Sequence, residues 1–314
     1  MSLLTRYLTD ARHAALSMRV TPNGMRLDDV IRSGLRHSDS SIGIYAPDFE
    51  SYDIFRELFA PIVDNFKAQP LGPLADLACI NPAAVAFTRI RVARNLAGHA
   101  FPAGMSKVQR LAVEQALTQA CKTLAPEFEG TVTVLAQLPQ PALDDMVARR
   151  LAFGPGDKFM AAAGIHEGWP SGRSVFNTHA GQLSVWINEE DHLRVAIVMP
   201  GAAVQACHAA MALVMARLEA SLEFCIDAEL GHLTSCPSNV GTGLRASYRV
   251  LHSLNAAHNP ALERLEAAGV IQFRAPAGEH AARNTELVDV GLKRRVGLSE
   301  RDALEGMMAL LTRP

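Results

Sequence analysis

Seven stretches of strand-like alternation, at 86–92, 131–138, 183–188, 194–199, 231–236, 244–250 and 270–274, are interleaved with amphipathic helical segments at about 105–124, 141–152, 202–223, 258–268 and 299–312. No regular strand-helix-strand beat links them. The order therefore predicts an α+β fold whose larger part is a mainly antiparallel β-sheet flanked by helices. Its clearest piece is a hairpin, in which LSVWIN (183–188) and RVAIVM (194–199) flank the charged run Glu189-Glu190-Asp191-His192. Asn259 with Pro260 opens one helix and Gly269 closes it, and Ser299 with Asp302 forms a capping-box pattern.

The first part of the chain reads differently. Leu4, Leu8, Ala11, Ala15 and Met18 recur at helical spacing and predict one helix over 3–18. A second helix fits 26–36 with Leu27, Val30, Ile31 and Leu35 inward. A third fits 51–66, capped by Ser51 and lined by Phe55, Leu58, Phe59 and Ile62. Pro70, Pro73 and Pro82 then break any periodicity between 68 and 81. The expected organisation is a small all-α N-terminal domain at 1–75 and a larger domain of mixed strands and helices at 76–314.

With 314 residues, 49% hydrophobic and 20% charged, the chain is long enough for a large core, and its net charge of −2 argues against a nucleic-acid partner. No apolar run is long enough to span a membrane. Cys79, Cys121, Cys207, Cys225 and Cys236 are odd in number and contain no CxxC pair, which reads as free thiols in a reducing compartment. The expectation is a soluble cytoplasmic protein, monomer or homodimer, without a membrane partner. No HExxH or other metal-ligand spacing is present.

Chemistry concentrates in four segments: CPSNVGTGLRASYR at 236–249, TRIR at 88–91, NEEDHLR at 188–194 and RAPAGEH at 274–280. Arg89 and Arg91 are two apart, so on a strand both guanidinium groups leave one face. An isolated RxR is usually a solvated strand edge, but Arg194, Arg245 and Arg274 also stand at strand ends beside acidic or glycine-rich turns. Several converging arginines need an anion, and a triphosphate suits their forked donors. Glu190 and Glu279 can hold a substrate guanidinium, and one of them can take its proton, since that group has a pKa above about 12. Cys236 reads either as a buried structural thiol or as a thiolate near that cation.

These segments resemble the phosphagen kinases, the ATP:guanidino phosphotransferases, from TPNGMRLDDVI at 21–31 to KRRVGLSE at 293–300, with CPSNVGTGLRAS at 236–247 the most specific stretch. The resemblance implies ATP as donor, with Mg2+ bound through the nucleotide, at a cleft between the two domains. It makes Arg89, Arg91, Arg194, Arg245 and Arg274 phosphate ligands, with Thr88, Arg150, Ser247 and Arg249 beside them at the nucleotide. Glu190, Glu279 and Cys236 become the catalytic and guanidinium-binding set. The stretch from Ser40 to Asp48 is similar to the specificity loop of arginine kinases, which implies Ser41, Ile42, Gly43 and Tyr45 as acceptor ligands and L-arginine as acceptor. Successive amides of a glycine turn there would cradle an α-carboxylate. Taurocyamine or creatine as acceptor, and a non-catalytic nucleotide-binding relative, are the alternatives. Arg150 and Arg249 stand where the family usually has histidines, and Phe87 where it often has a serine.

Overall fold

The computed structural model describes residues 1–251, 259–274 and 287–312. Up to Lys67 the regular elements are helices: α1 (Leu3–Tyr7), α2 (Asp10–Leu16), α3 (Leu27–Arg36), α4 (Ser51–Ile54) and α5 (Arg56–Lys67). The single helix expected over 3–18 is two, because Thr9 turns to extended backbone and its hydroxyl caps the amide of Arg12. The break rephases the apolar stripe. Leu4 and Leu16 are buried, whereas Met18 is 82% exposed. The expected helix over 51–66 is likewise interrupted at Phe55, and Ser51 lies inside it rather than capping it. The cap oxygen is Asp48 Oδ1, which accepts from the Ser51 amide at 2.9 Å. Helix α3 buries Leu27, Val30 and Ile31 as its spacing predicts, while Leu35 turns outward.

The rest of the chain builds the sheet. Strands β1 (Val85–Arg94), β2 (Gly130–Val134), β3 (Ser174–Thr178), β4 (Leu183–Ile187), β5 (Leu193–Pro200), β8 (Leu244–Leu251), β9 (Ile271–Arg274) and β10 (Leu287–Leu292) lie in the order β2-β3-β4-β5-β1-β8-β10-β9. The pairs β1/β8, β8/β10, β10/β9, β2/β3 and β3/β4 are all antiparallel. Expected strand 231–236 shrinks to β7 (Gly231–His232), which among the described residues pairs with β6 (Ile226–Asp227). The helices are α6 (Lys107–Cys121), α7 (Gln140–Ala148), α8 (Lys158–Ala162), α9 (Val204–Glu219), α10 (Pro260–Ala267) and α11 (Glu300–Ala309). The fold is thus the expected one, a helical N-terminal region followed by an antiparallel sheet flanked by helices.

Two compact units divide the chain, one of Met1–Asn65, Ala93–Val195 and Ala216–Val240, the other of Phe66–Val92, Ala196–Met215 and Gly241–Pro314. In the first, the N-terminal helices are tied to later segments. Arg32 Nη2 donates to the carbonyls of Ala103 (2.7 Å) and Ala163 (2.6 Å), and Ser33 Oγ to that of Phe159. In the second, one face of the sheet is apolar: Ile90, Tyr248, Val250, Val290 and Ile271 are buried, and α10 and α11 pack on the strands. Strand alternation then sends the intervening residues of β1, β8, β9 and β10 to the opposite face.

Candidate active site

In the first unit the site begins at the tip of the β4/β5 hairpin. Asn188 opens the tip in the left-handed region, at φ 58°, which asparagine tolerates better than most residues. Its side-chain amide donates to the carbonyls of Arg110 (3.0 Å) and Gly172 (2.8 Å). At the other end His192 is fully buried. Its Nδ1 accepts the Leu96 amide at 2.9 Å, so the proton sits on Nε2, which donates to the Ala100 carbonyl at 2.8 Å. Burial pulls its pKa down to about 3, so the ring is neutral. Both ends of the acidic run are therefore held.

Between them three carboxylates surround one guanidinium. Arg194 reaches Glu189 at 2.6 Å through Nη1, and Glu190 at 2.6 Å and Asp191 at 3.2 Å through Nη2. Asp191 has no solvent exposure, and its other oxygen accepts from Asn95 Nδ2 (3.0 Å) and from the Ser235 amide (2.7 Å). Burial lowers the pKa of Arg194, but the three carboxylates more than reverse this and hold it well above its ordinary value. For Glu190, burial raises the pKa, Arg194 pulls it back, and Asp191 and Glu189 raise it further. The net direction is upward. Three acids share one cation at the tip, and burial first, then the neighbouring carboxylates, hold Glu190 up against it.

The Ser235 amide fixes the segment that carries Cys236 against this tip. Ser235 also accepts the Ala46 amide at 2.7 Å through its carbonyl, Tyr52 Oη donates to the Thr234 carbonyl at 2.7 Å, and the Thr234 hydroxyl donates to the Cys236 carbonyl at 2.7 Å. Cys236 is buried with its Sγ 3.1 Å from Ser238 Oγ. The loop before Ala46 brings in Tyr45, whose phenol is pushed up first by burial and then by the charges of Glu190 and Cys236. It stays a hydroxyl. Tyr45 thus feels the charges of Glu190 and Cys236, three residues read separately from the sequence.

In the same loop Gly43 has φ 87°, and a Cβ there would lie 2.8 Å from Leu4 Cβ. Only glycine fits both constraints. The cradle of successive amides is smaller than expected, because Gly43 donates to Ser40 Oγ and Tyr45 to the Val30 carbonyl. Among the described residues no acceptor meets the amide of Ser41 or Ile42, and Ser41 is exposed.

The second unit supplies the arginines. On β1 and β8 the register opposes Arg91 to Arg245, Arg89 to Ser247 and Phe87 to Arg249. Across β10 and β9, Asp289 opposes both Arg249 and Arg274. Directly opposed residues share a face, so Arg89, Arg91, Arg245, Arg249 and Arg274 all leave the sheet on the side away from its apolar layer. Arg249 is held by Asp289, Nε to Oδ1 at 2.8 Å and Nη2 to Oδ2 at 3.1 Å. Arg274 bonds Gln272 Oε1 through Nε and Nη2.

Thr88 alternates to the buried face. Its hydroxyl donates to the Gly201 carbonyl at 2.6 Å and accepts the Ala203 amide, so it braces β1 from behind rather than standing among the arginines. Arg194 belongs to the first unit, with its carboxylates. Arg150, at φ 61° and exposed, also lies in the first unit, just past α7. Glu279 falls outside the described residues. Sequence reasoning missed Glu189, Asp191 and Asp289. The unbroken acidic run at 189–191 was the available signal for the first two, whereas Asp289 sits in a strand that was not foreseen.

The second unit thus presents a row of arginines, a chemistry that suits phosphate, and the first a surplus of carboxylate, a chemistry that suits a cation. Comparison with known proteins agrees. Residues 112–313 match the ATP:guanido phosphotransferase C-terminal catalytic domain, and residues 1–64 match the N-terminal domain of the same proteins. The chain belongs to the ATP:guanido phosphotransferase, or phosphagen kinase, family. It is 34% identical to an arginine kinase of Schistocerca americana, covering 98% of this chain and 90% of that one. An arginine kinase of Drosophila melanogaster is 32% identical over the same shares. Among solved structures, the duplicated taurocyamine kinase of Schistosoma mansoni superposes with a TM-score of 0.86 at 30% identity, over 98% of this chain and 45% of that one. A lombricine kinase gives 0.84 at 27%, over 98% and 89%.

Proposed function

We propose that the chain transfers the γ-phosphoryl group of MgATP reversibly to the guanidino group of L-arginine, giving phosphoarginine and ADP. The observation that carries this is the charge shortage at the hairpin tip, where Glu189, Glu190 and Asp191 share one cation among the described residues, Arg194. A second guanidinium is the cation that such a site lacks. On this reading Arg89, Arg91, Arg245 and Arg274 grip the polyphosphate, Ser247 stands among them, and magnesium arriving with the nucleotide neutralises further charge. Residues 1–75 form the acceptor-side domain and 76–314 the catalytic one.

In the forward direction a guanidino nitrogen attacks the γ-phosphorus in line. The N–P bond forms as the bond to the β,γ-bridging oxygen breaks, and ADP leaves with that electron pair. The proton lost by the nitrogen passes to Glu190, whose raised pKa suits a base more than an ordinary carboxylate would. Glu279 is the second carboxylate of the acceptor site. On the same reading Cys236 and the Tyr45 hydroxyl act with Glu190 on the acceptor, and the amides of Ser41 and Ile42 receive its carboxylate.

Arginine is favoured over other guanidino acceptors by that pair of amides and by the arginine kinases among the relatives. Turnover measured by a coupled ADP assay with arginine, taurocyamine, lombricine, creatine and glycocyamine tests it. Arginine should show the highest kcat/KM; a higher value for taurocyamine would transfer the site to a sulfonate-bearing acceptor. ATP binding without turnover on any of the five would make the chain a nucleotide-binding relative instead.

A further inference from the structure

Asn95, the residue after β1, spends its whole side-chain amide inside the first unit. Its Nδ2 donates to Asp191 Oδ1 at 3.0 Å and to the Leu233 carbonyl at 3.2 Å, while its Oδ1 accepts the His192 amide at 2.8 Å. The residue is 1% exposed, so water does not compete for these bonds. Its own carbonyl accepts the Cys225 amide at 2.8 Å, which holds the backbone beneath the side chain. Asp191 and His192 directly follow Glu190, and Leu233 and Ser235 lead into Cys236. Asp191 Oδ1 also accepts the Ser235 amide at 2.7 Å. Asn95, Asp191 and the backbone from Leu233 to Ser235 therefore close a ring of hydrogen bonds. Two donors and one acceptor at this reach describe asparagine. Aspartate has the shape without the donors, and serine has one donor on a shorter arm.

We propose that Asn95 is a positioning residue that locks the segment carrying Glu190 and the segment carrying Cys236 in one register, so that carboxylate and thiol meet the acceptor's guanidinium together. This rests on the phosphoryl-transfer reading of the hairpin tip and adds to it a buried residue that acts through others. A reacting group displaced by about 1 Å costs on the order of a hundredfold in rate, so a ring that fixes two such segments acts on turnover. Glu190 is surrounded by the charges of Arg194, Asp191 and Glu189 on its own hairpin, and Tyr45 and Tyr52 feel its charge from the N-terminal segment. A further carboxylate at position 95 would stand against Asp191 and add to the negative side of that balance.

The experiment measures kcat against pH, with the acceptor that the wild type turns over best, and calorimetric MgADP affinity for the wild type, Asn95→Asp and Asn95→Ser. In Asn95→Asp, kcat should fall about a hundredfold while MgADP affinity stays within about twofold. The acid limb of its profile should move to higher pH, because the added charge makes Glu190 harder to ionise. Asn95→Ser, which keeps one donor and adds no charge, should lose about tenfold in kcat with the limb in place. A folded Asn95→Asp whose kcat stays within about threefold of wild type overturns the proposal, as does an unmoved limb or an MgADP affinity that falls in step with kcat. Should Asn95→Asp fail to fold, Asn95→Ser decides: lowered kcat with MgADP affinity kept supports the role, and wild-type kcat overturns it. Wild-type protein that turns over no guanidino acceptor removes the phosphoryl-transfer reading, and the proposal with it.

Discussion

The hairpin tip of the first unit and the sheet face of the second are both dense in charge, and they hold it in opposite ways. At the tip, opposite charges lie within 2.6–3.2 Å of one another and are almost out of solvent. Asn95, Ser235, Asn188 and His192 bind the run from several sides, so its geometry is set before any substrate arrives. On the sheet face most of the charges are alike, with Asp289 among them. Strand register brings Arg89, Arg91, Arg245 and Arg274 to one side, and a like pair some 6 Å apart costs about 0.7 kcal/mol in water-like surroundings. The contrast is between a buried site whose charges pair with one another and a half-exposed face on which strand register gathers mainly one sign of charge.

If that contrast holds, changes at the tip should act on chemistry and changes on the face on both binding and chemistry. The largest effect is expected from Glu190→Gln. The amide neither takes a proton nor balances a cation, so kcat should fall by on the order of a thousandfold while the calorimetric affinity for MgADP stays close to wild type. Loss of MgADP binding in this variant would show that tip and face are not separable. Arg91→Ala should come next. Removing one donor to the polyphosphate costs on the order of 3 kcal/mol in the transition state, about a hundredfold in kcat/KM, with MgADP binding weakened as well. Unaltered nucleotide affinity would detach Arg91 from the donor site.

A smaller effect tests the loop that carries Tyr45. Gly43→Ala places a Cβ at positive φ and against Leu4, so a cost of about 1–3 kcal/mol in stability is expected, with KM for the acceptor rising more than KM for ATP. Equal rises in both would mean a general loss of order. The smallest effect concerns the resting stability of the tip. Glu190 has a folded-state pKa above its unfolded value, so the folded state binds its proton more readily. Stability from this group is full below the unfolded pKa and declines as pH rises through the folded one. Glu190→Gln removes the decline. Its melting temperature at neutral pH should exceed wild type by about 2 °C, and the gap should close near about pH 4. A lower melting temperature at neutral pH would mean that the Arg194 pair outweighs burial.

Much of this was legible in the sequence where one period ran unbroken. The hairpin of β4 and β5, the long helix α6 and the capping box at Ser299 came out nearly residue for residue. Strand β3 did not, because Ser174, Val175, Phe176 and Thr178 are all buried and leave no alternation to read. Strand β10 was hidden by Asp289 and Gly291, residues that disfavour strands. Gly291 is required there because a Cβ would come within 2.5 Å of the Ala246 carbonyl oxygen. The break at Thr9 was written as a cap residue followed by Asp10, but the apolar spacing ran across it. At the site, the motifs named the reacting residues, and the scaffold was the part left unread. Asn95 and Asp191, 96 positions apart, meet only after folding.

His192 has a consequence far from the reaction. In the folded chain its ring must accept one amide and donate to one carbonyl, and a doubly protonated imidazolium could not accept at all. Its pKa sits at about 3 in the folded chain and near 6.5 when unfolded, so the stability it contributes is complete above the higher value and ebbs as acid carries the solution toward the lower. Strong acid thus acts on the hairpin from behind, through this ring, as well as at its tip. Protonation of the ring would cost the Leu96 amide its acceptor and loosen the acidic run from the backbone that steadies it.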